Sequence, residues 1–133
     1  MVIDSSALIA ILRNEPDGEA FAGAIFRDPS RLVSAVTKLE AGIVAYGTRG
    51  AAGAADLDRL LGEIGAIIVA FDDDQARIAR DAFARFGKGI HPAGLNFADC
   101  AAYALAIVEA EPLLFKGTDF AKTDVAVARG AEA

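Results

Sequence analysis

Four carboxylates in this chain stand where an α/β protein could put them to use: Asp4, Glu40, Asp99 and Asp119. Asp4 directly follows Val2 and Ile3, which read as a short buried strand, and the apolar run Ala7 to Leu12 begins just after it. In open α/β sheets the site lies outside the carboxyl ends of the strands. At that position Asp4 can cap the helix starting near Ser6 or serve a site, and the residue alone favours neither. Glu40, in SAVTKLEAGIVAYG, shares a helical stripe with Val36, Ile43 and Gly47,. A lone ionised Glu on a buried stripe is costly unless paired or metal-bound, the plainer alternative being a Glu at the stripe's edge or paired with Lys38 or Arg49. Asp99, in LNFADCAAYALA, falls at the third helical position after Asn96, as in a capping box,. Asp119 follows the strand PLLF in KGTDF, where it could equally be a turn aspartate beside a glycine,.

Each acid alone has a structural explanation. Together they repel one another unless a cation neutralises them. An oxygen-only donor set with no His or Cys cluster beside it points to Mg²⁺ or Mn²⁺ and away from zinc. Asp72, Asp73 and Asp74 are a different case: adjacent carboxylates point apart, and the expectation is an N-cap with first-turn acids that suit the helix dipole. His91, the single histidine, sits in a loop beside Pro92 and is not expected to act as a base. Cys100 is expected to point into the core as a structural thiol.

The elements that must carry these acids alternate between strand and helix. MVID, RLVS, AIIVAF and PLLF read as strands,. SSALIAILRN, EAFAGAIFR, AVTKLEAGIVAYGTR closed by Gly50, AADLDRLLGEIG, QARIARDAFARFG and FADCAAYALAIVEA read as helices, GKGIHPAGLN as a loop, and KGTDFAKTDV as a loop leading to a short last strand,. That alternation predicts one α/β domain over residues 1–133, with a short, mostly parallel sheet covered by helices on both faces. Apolar residues make up 54% of the 133, with 13 Gly besides, which is enough for a sizeable core with tight helix packing,. No run approaches the roughly 20 apolar residues of a membrane span, and MVIDSS lacks the shape of a signal peptide. A single cysteine suits a reducing cytoplasm. The net charge of −6 argues against gripping nucleic acid by overall electrostatics, and leaves that work to a local basic rim drawn from Arg13, Lys38, Lys88 and Lys116,.

With these motifs together, the chain resembles the PIN-domain ribonucleases of the VapC-like toxin group, the toxins of type II toxin–antitoxin pairs. The likeness runs through MVIDSSALIAIL, AVTKLEAGIV, KGIHPAGLNFADCAAYALA and PLLFKGTDFAKTDV. It implies a PIN-like three-layer sandwich and places the acidic site on Asp4, Glu40, Asp99 and Asp119. Ser5 stands where Thr is usual and keeps the oxygen, and Ala98 replaces the common Gly. The fourth acid often comes two residues earlier, where this chain has Gly117, and Asp124 is a further candidate for it. The resemblance implies metal-assisted hydrolysis of RNA, with Asp4 and Asp99 as principal ligands and Glu40 and Asp119 completing the shell. It also implies a VapB-like antitoxin, for which the apolar surplus of the first two helices offers a surface. The Ala-rich helices, which allow close packing between protomers, lead us to expect a homodimer, the plainer alternative being that they pack inside one domain. Two rival readings are a haloacid-dehalogenase-type phosphatase, which needs an acid where Ser6 stands, and a catalytically silent, receiver-like binding module.

Overall fold

The computed structural model describes residues 1–128; residues 129–133, which the single-domain expectation includes, lie outside the described residues. The elements run β1 (Val2–Ile3), α1 (Ser5–Leu12), α2 (Gly18–Arg27), β2 (Leu32–Ser34), α3 (Ala35–Glu63), β3 (Ile67–Val69), α4 (Asp73–Phe86), α5 (Phe97–Glu109), β4 (Leu113–Leu114) and a short 3₁₀ turn at Phe120–Lys122. The four strands form one parallel sheet in the order β3-β2-β1-β4. Val2 pairs with Leu32 on one side and Leu113 on the other, so β1 is central and its carboxyl end opens at Asp4.

Two cores flank the sheet and make three layers. On one face Ile3, Leu8, Phe21, Ile25, Val33, Leu57 and Ile64 pack together. On the other, Val2, Leu95, Tyr103, Leu105, Leu113 and Phe120 do so. Full burial of a side chain such as Leu8 or Leu105 is worth about 1.5–3 kcal/mol, so these two clusters outweigh any surface ion pair in holding the fold. The alanines serve this packing. Ala98, Ala101, Ala102, Ala104 and Ala106 are all buried, which makes α5 a helix covered nearly all round,.

Local signals account for most boundaries. Asp72 accepts from Gln75 N–H and caps α4, with Asp73 and Asp74 in the first turn, as their adjacency predicts. Gly50 turns the chain with φ +61 and breaks α3 into the two helical stretches expected from the sequence, with Arg49 also off helical values. The returning stretch then comes so close that a Cβ on Gly53 would lie 2.2 Å from the Ala45 carbonyl oxygen. Two expectations need correction. The strand read over AIIVAF is shorter than expected: only Ile67–Val69 pair, at the sheet edge, where Ile67 is 60% exposed. The short last strand reduces to a bridge between Val127 and Leu113.

Candidate active site

Asp4 leaves the central strand and stands at the N-cap of α1. Its Oδ2 accepts from Ser6 N–H at 3.1 Å and from Ser6 Oγ–H at 2.6 Å, which caps the helix. Its Oδ1 is buried without a hydrogen-bond partner. An unpartnered buried carboxylate oxygen is costly, and burial, opposed by the Ser6 bonds and assisted by the charges of Asp99 and Glu40, lifts the Asp4 pKa to about 6.

Glu40 reaches the same place from α3, half-buried, with Oε1 accepting from Ser5 Oγ–H at 2.5 Å. The stripe expected for it is not the buried one. Thr37, Ala41 and Ala45 face the core, whereas Ile43 is 64% exposed and Gly47 is exposed as well. Neither Lys38 nor Arg49 pairs with Glu40: Lys38 is exposed, and Arg49 bonds Asp56. The partner of Glu40 is a serine 35 residues away, out of reach of any helical periodicity.

Asp99 stands at the start of α5 in a complete capping box. Its backbone N–H donates to Asn96 Oδ1 at 2.9 Å, and its Oδ2 accepts from Asn96 N–H at 3.0 Å. Burial raises its pKa, the Asn96 bond opposes the rise, and Glu40 and Asp119 add to it. Asp119 opens the 3₁₀ turn after β4, exposed and without a side-chain capping bond. Asp4 thus feels Asp99 and Glu40, and Asp99 feels Glu40 and Asp119, so carboxylates carried by four different segments act on one another near the carboxyl ends of β1 and β4.

Most of the other candidates are engaged elsewhere. Asp124 Oδ1 accepts from Tyr103 O–H at 2.5 Å and its Oδ2 pairs with Arg85 at 3.3 Å, bonds that hold its pKa below the usual range. Gly117 has φ +97, a conformation in which an aspartate would be strained,. His91 Nδ1 accepts from Ala93 N–H within its own turn, and the ring meets Phe86 edge-on at 5.2 Å. Cys100 is buried, and burial pushes its thiol up to about 11. Of the basic residues, Arg13 bonds Thr48, Lys116 pairs with Glu15 and Asp17, and Lys38 and Lys88 are exposed.

The donor chemistry fits a hard divalent cation: oxygen donors only, shared repulsion, and one buried carboxylate oxygen lacking a partner,. Among the described residues no three His, Cys, Asp or Glu side chains are already drawn tightly enough to enclose an ion. Beside the acids runs an apolar cleft of about 360 Å³ lined by Leu39, Glu40, Ile43, Asn96 and Phe97. Phe97 is 78% exposed. The apolar surplus expected on the first two helices is largely absorbed, with Ile9, Ile11 and Leu12 packed against the core and Phe26 left exposed. Most of the spare apolar surface near the acids belongs instead to α3 and the start of α5. Among the described residues no helix is long and apolar enough to cross a membrane.

Comparison with known proteins identifies the family and agrees with the fold. The model of the PIN domain family matches residues 1–126. The chain is 52% identical over 126 residues to a ribonuclease VapC of Mycolicibacterium smegmatis, covering 95% of this chain and 98% of that protein. Among solved structures, VapC20 of Mycobacterium tuberculosis, described as a Sarcin-Ricin loop cleaving toxin, superposes with a TM-score of 0.77 at 12% identity, covering 94% of this chain and 95% of that one. A toxin–antitoxin complex from Klebsiella pneumoniae gives 0.71 at 18% identity, covering 95% and 94%.

Proposed function

Since the chain belongs to the PIN-domain family and within it to the VapC ribonuclease toxins of toxin–antitoxin systems, we propose that its catalytic centre is the cluster Asp4, Glu40, Asp99 and Asp119, working with Mg²⁺ or Mn²⁺ to hydrolyse RNA phosphodiesters. The observation that carries this is Asp4 Oδ1, a buried carboxylate oxygen with no hydrogen-bond partner beside two further acids that raise its pKa. Asp4 and Asp99 are the principal cation ligands, and Glu40 and Asp119 complete or orient the shell. When bound, the cation supplies Lewis acidity, which makes water a stronger nucleophile at neutral pH and offsets charge developing on the phosphate.

The chain's own residues do the positioning. The capping box fixes where Asp99 leaves α5, and Ser5 holds one oxygen of Glu40. Lys38, exposed two residues before Glu40, and Lys88 are free to meet phosphates, whereas Lys116 is engaged by Glu15 and Asp17. The solved complexes of structural neighbours support an antitoxin partner for this chain. A cationic antitoxin side chain would compete with the metal for the same carboxylates, and the exposed apolar strip of Leu39, Ile43 and Tyr46 offers area for association, including that of a homodimer,. The cytoplasm, where RNA and a reduced Cys100 coexist, is the proposed location.

The test is RNA cleavage by the purified chain with Mg²⁺ or Mn²⁺, with EDTA, and by Asp4→Ala. Cleavage that needs the cation and Asp4 supports the centre, and cleavage indifferent to both overturns it. Sequencing the cleaved ends after brief expression identifies the RNA. Co-expression with the genomic neighbour should relieve toxicity, and an elution volume of a dimer is expected for the toxin alone.

A further inference from the structure

The two oxygens of Asp4 are treated differently by the chain, and Ser6 makes the difference. Both bonds to Oδ2 come from Ser6, one from its backbone N–H and one from its hydroxyl at 2.6 Å. The same hydroxyl oxygen accepts from Lys116 N–H at 2.9 Å, across 110 residues of sequence. A backbone N–H can only donate and an ionised carboxylate can only accept, so the hydroxyl proton is committed to Asp4. The direction of the relay is therefore set: Lys116 N–H to Ser6 Oγ, and Ser6 Oγ–H to Asp4 Oδ2.

Lys116 lies between β4 and the 3₁₀ turn that Asp119 opens. Ser5 does not duplicate the role, because its hydroxyl is directed to Glu40. We propose that Ser6 is a positioning residue for the metal site: it holds Asp4 by Oδ2 so that Oδ1 is the oxygen offered to the cation, and through Lys116 it ties the segment carrying Asp119 to that carboxylate. This rests on the metal-dependent reading above and deepens it. Hydrogen bonds that orient ligating side chains commonly change metal affinity by about 10- to 100-fold when removed.

The experiment is calorimetric titration of the full chain with Mn²⁺, without RNA, for the wild type, Ser6→Ala, Ser6→Cys, Ser6→Thr and Asp4→Asn, each checked for a cooperative unfolding transition. Ser6→Ala is expected to bind Mn²⁺ about 10- to 100-fold more weakly, Ser6→Thr to return near the wild type, and RNA cleavage by Ser6→Ala to recover at high Mn²⁺. Because each variant is first shown to be folded without cation, recovery at high Mn²⁺ reports weakened cation affinity and not a rescue of folding by mass action. If Ser6→Ala fails to fold, Ser6→Cys, of similar shape but a weak donor, carries the same expectation. Wild-type Mn²⁺ affinity in the folded Ala or Cys variant, or equal loss in Ser6→Thr, overturns the role of Ser6 while Asp4→Asn still loses binding. No Mn²⁺ binding by the wild type overturns the metal reading itself, and the proposal with it.

Discussion

Ser5 Oγ donates to Glu40 Oε1 at 2.5 Å, joining the first turn of α1 to the second turn of α3. The next residue, Ser6, turns to Asp4 instead, so two adjacent hydroxyls hold two acids from different elements. Ser5→Ala should reduce RNA cleavage about tenfold, in the range seen when a hydrogen bond to a metal-site side chain is lost. Ser5→Thr should retain activity, because it keeps the oxygen. Single-turnover cleavage at saturating Mg²⁺ measures this, and an unchanged rate in Ser5→Ala would remove Ser5 from the site.

Asp4 makes the protein without cation sensitive to pH in a defined direction. Its folded pKa is about 6 against an ordinary 3.8, raised mainly by burial. Between those values the folded state binds more protons than the unfolded one, so stability falls as pH rises through the window. The proton-linked stability is complete below the ordinary pKa and lost above about pH 6. A shift of this size corresponds to roughly 3 kcal/mol. Asp4→Asn keeps a capping oxygen and removes the charge, so it should be more stable than the wild type at pH 7 in EDTA, and the difference should shrink toward pH 4. Urea unfolding across pH 4–8 checks the sign.

Asp119 and Asp124, five residues apart, should separate cleanly. Asp119 has no side-chain capping bond and acts on Asp99. Asp124 locks α4, α5 and the chain after the 3₁₀ turn through Arg85 and Tyr103. Asp119→Asn should lose activity and keep its stability. Asp124→Asn should lose about 1 kcal/mol, a modest figure for a half-exposed hydrogen-bonded carboxylate, and keep most of its activity. The reverse pattern in paired cleavage and unfolding measurements would move the fourth acid to Asp124.

The sequence carried the strand ends, the helix caps and the break at Gly50 because these are written in local residue types. Asn96 and Asp99 form the capping box that their spacing announces, and Asp72 to Asp74 open α4 as adjacent acids should. The stripe on which Glu40 lies is half-exposed, since a 3.6-residue period shows which residues share a face and not which face is buried,. Its actual partner, Ser5, is a contact made only by the tertiary fold. The same holds for the bond from Lys116 to Ser6 and for the lock on Asp124. The edge position of β3 was equally hidden, because β-branched residues favour a strand without saying where in the sheet it lies,.

Mg²⁺ should stabilise the wild type by mass action, since it binds the folded acids and not the unfolded chain. Thermal unfolding with and without Mg²⁺ should show a clear upward shift for the wild type and a much smaller one for Asp99→Asn. Equal shifts would mean that Asp99 does not belong to the cation site.

The most direct measurement is cleavage of RNA by the wild type and by Asp99→Asn, each in Mg²⁺, in EDTA, and in EDTA followed by excess Mg²⁺. A centre built on these acids predicts cleavage by the wild type in Mg²⁺, its loss in EDTA, its return on adding Mg²⁺, and none by a folded Asp99→Asn in any of the three. Cleavage that survives EDTA, or an Asp99→Asn variant cutting at the wild-type rate, would contradict it.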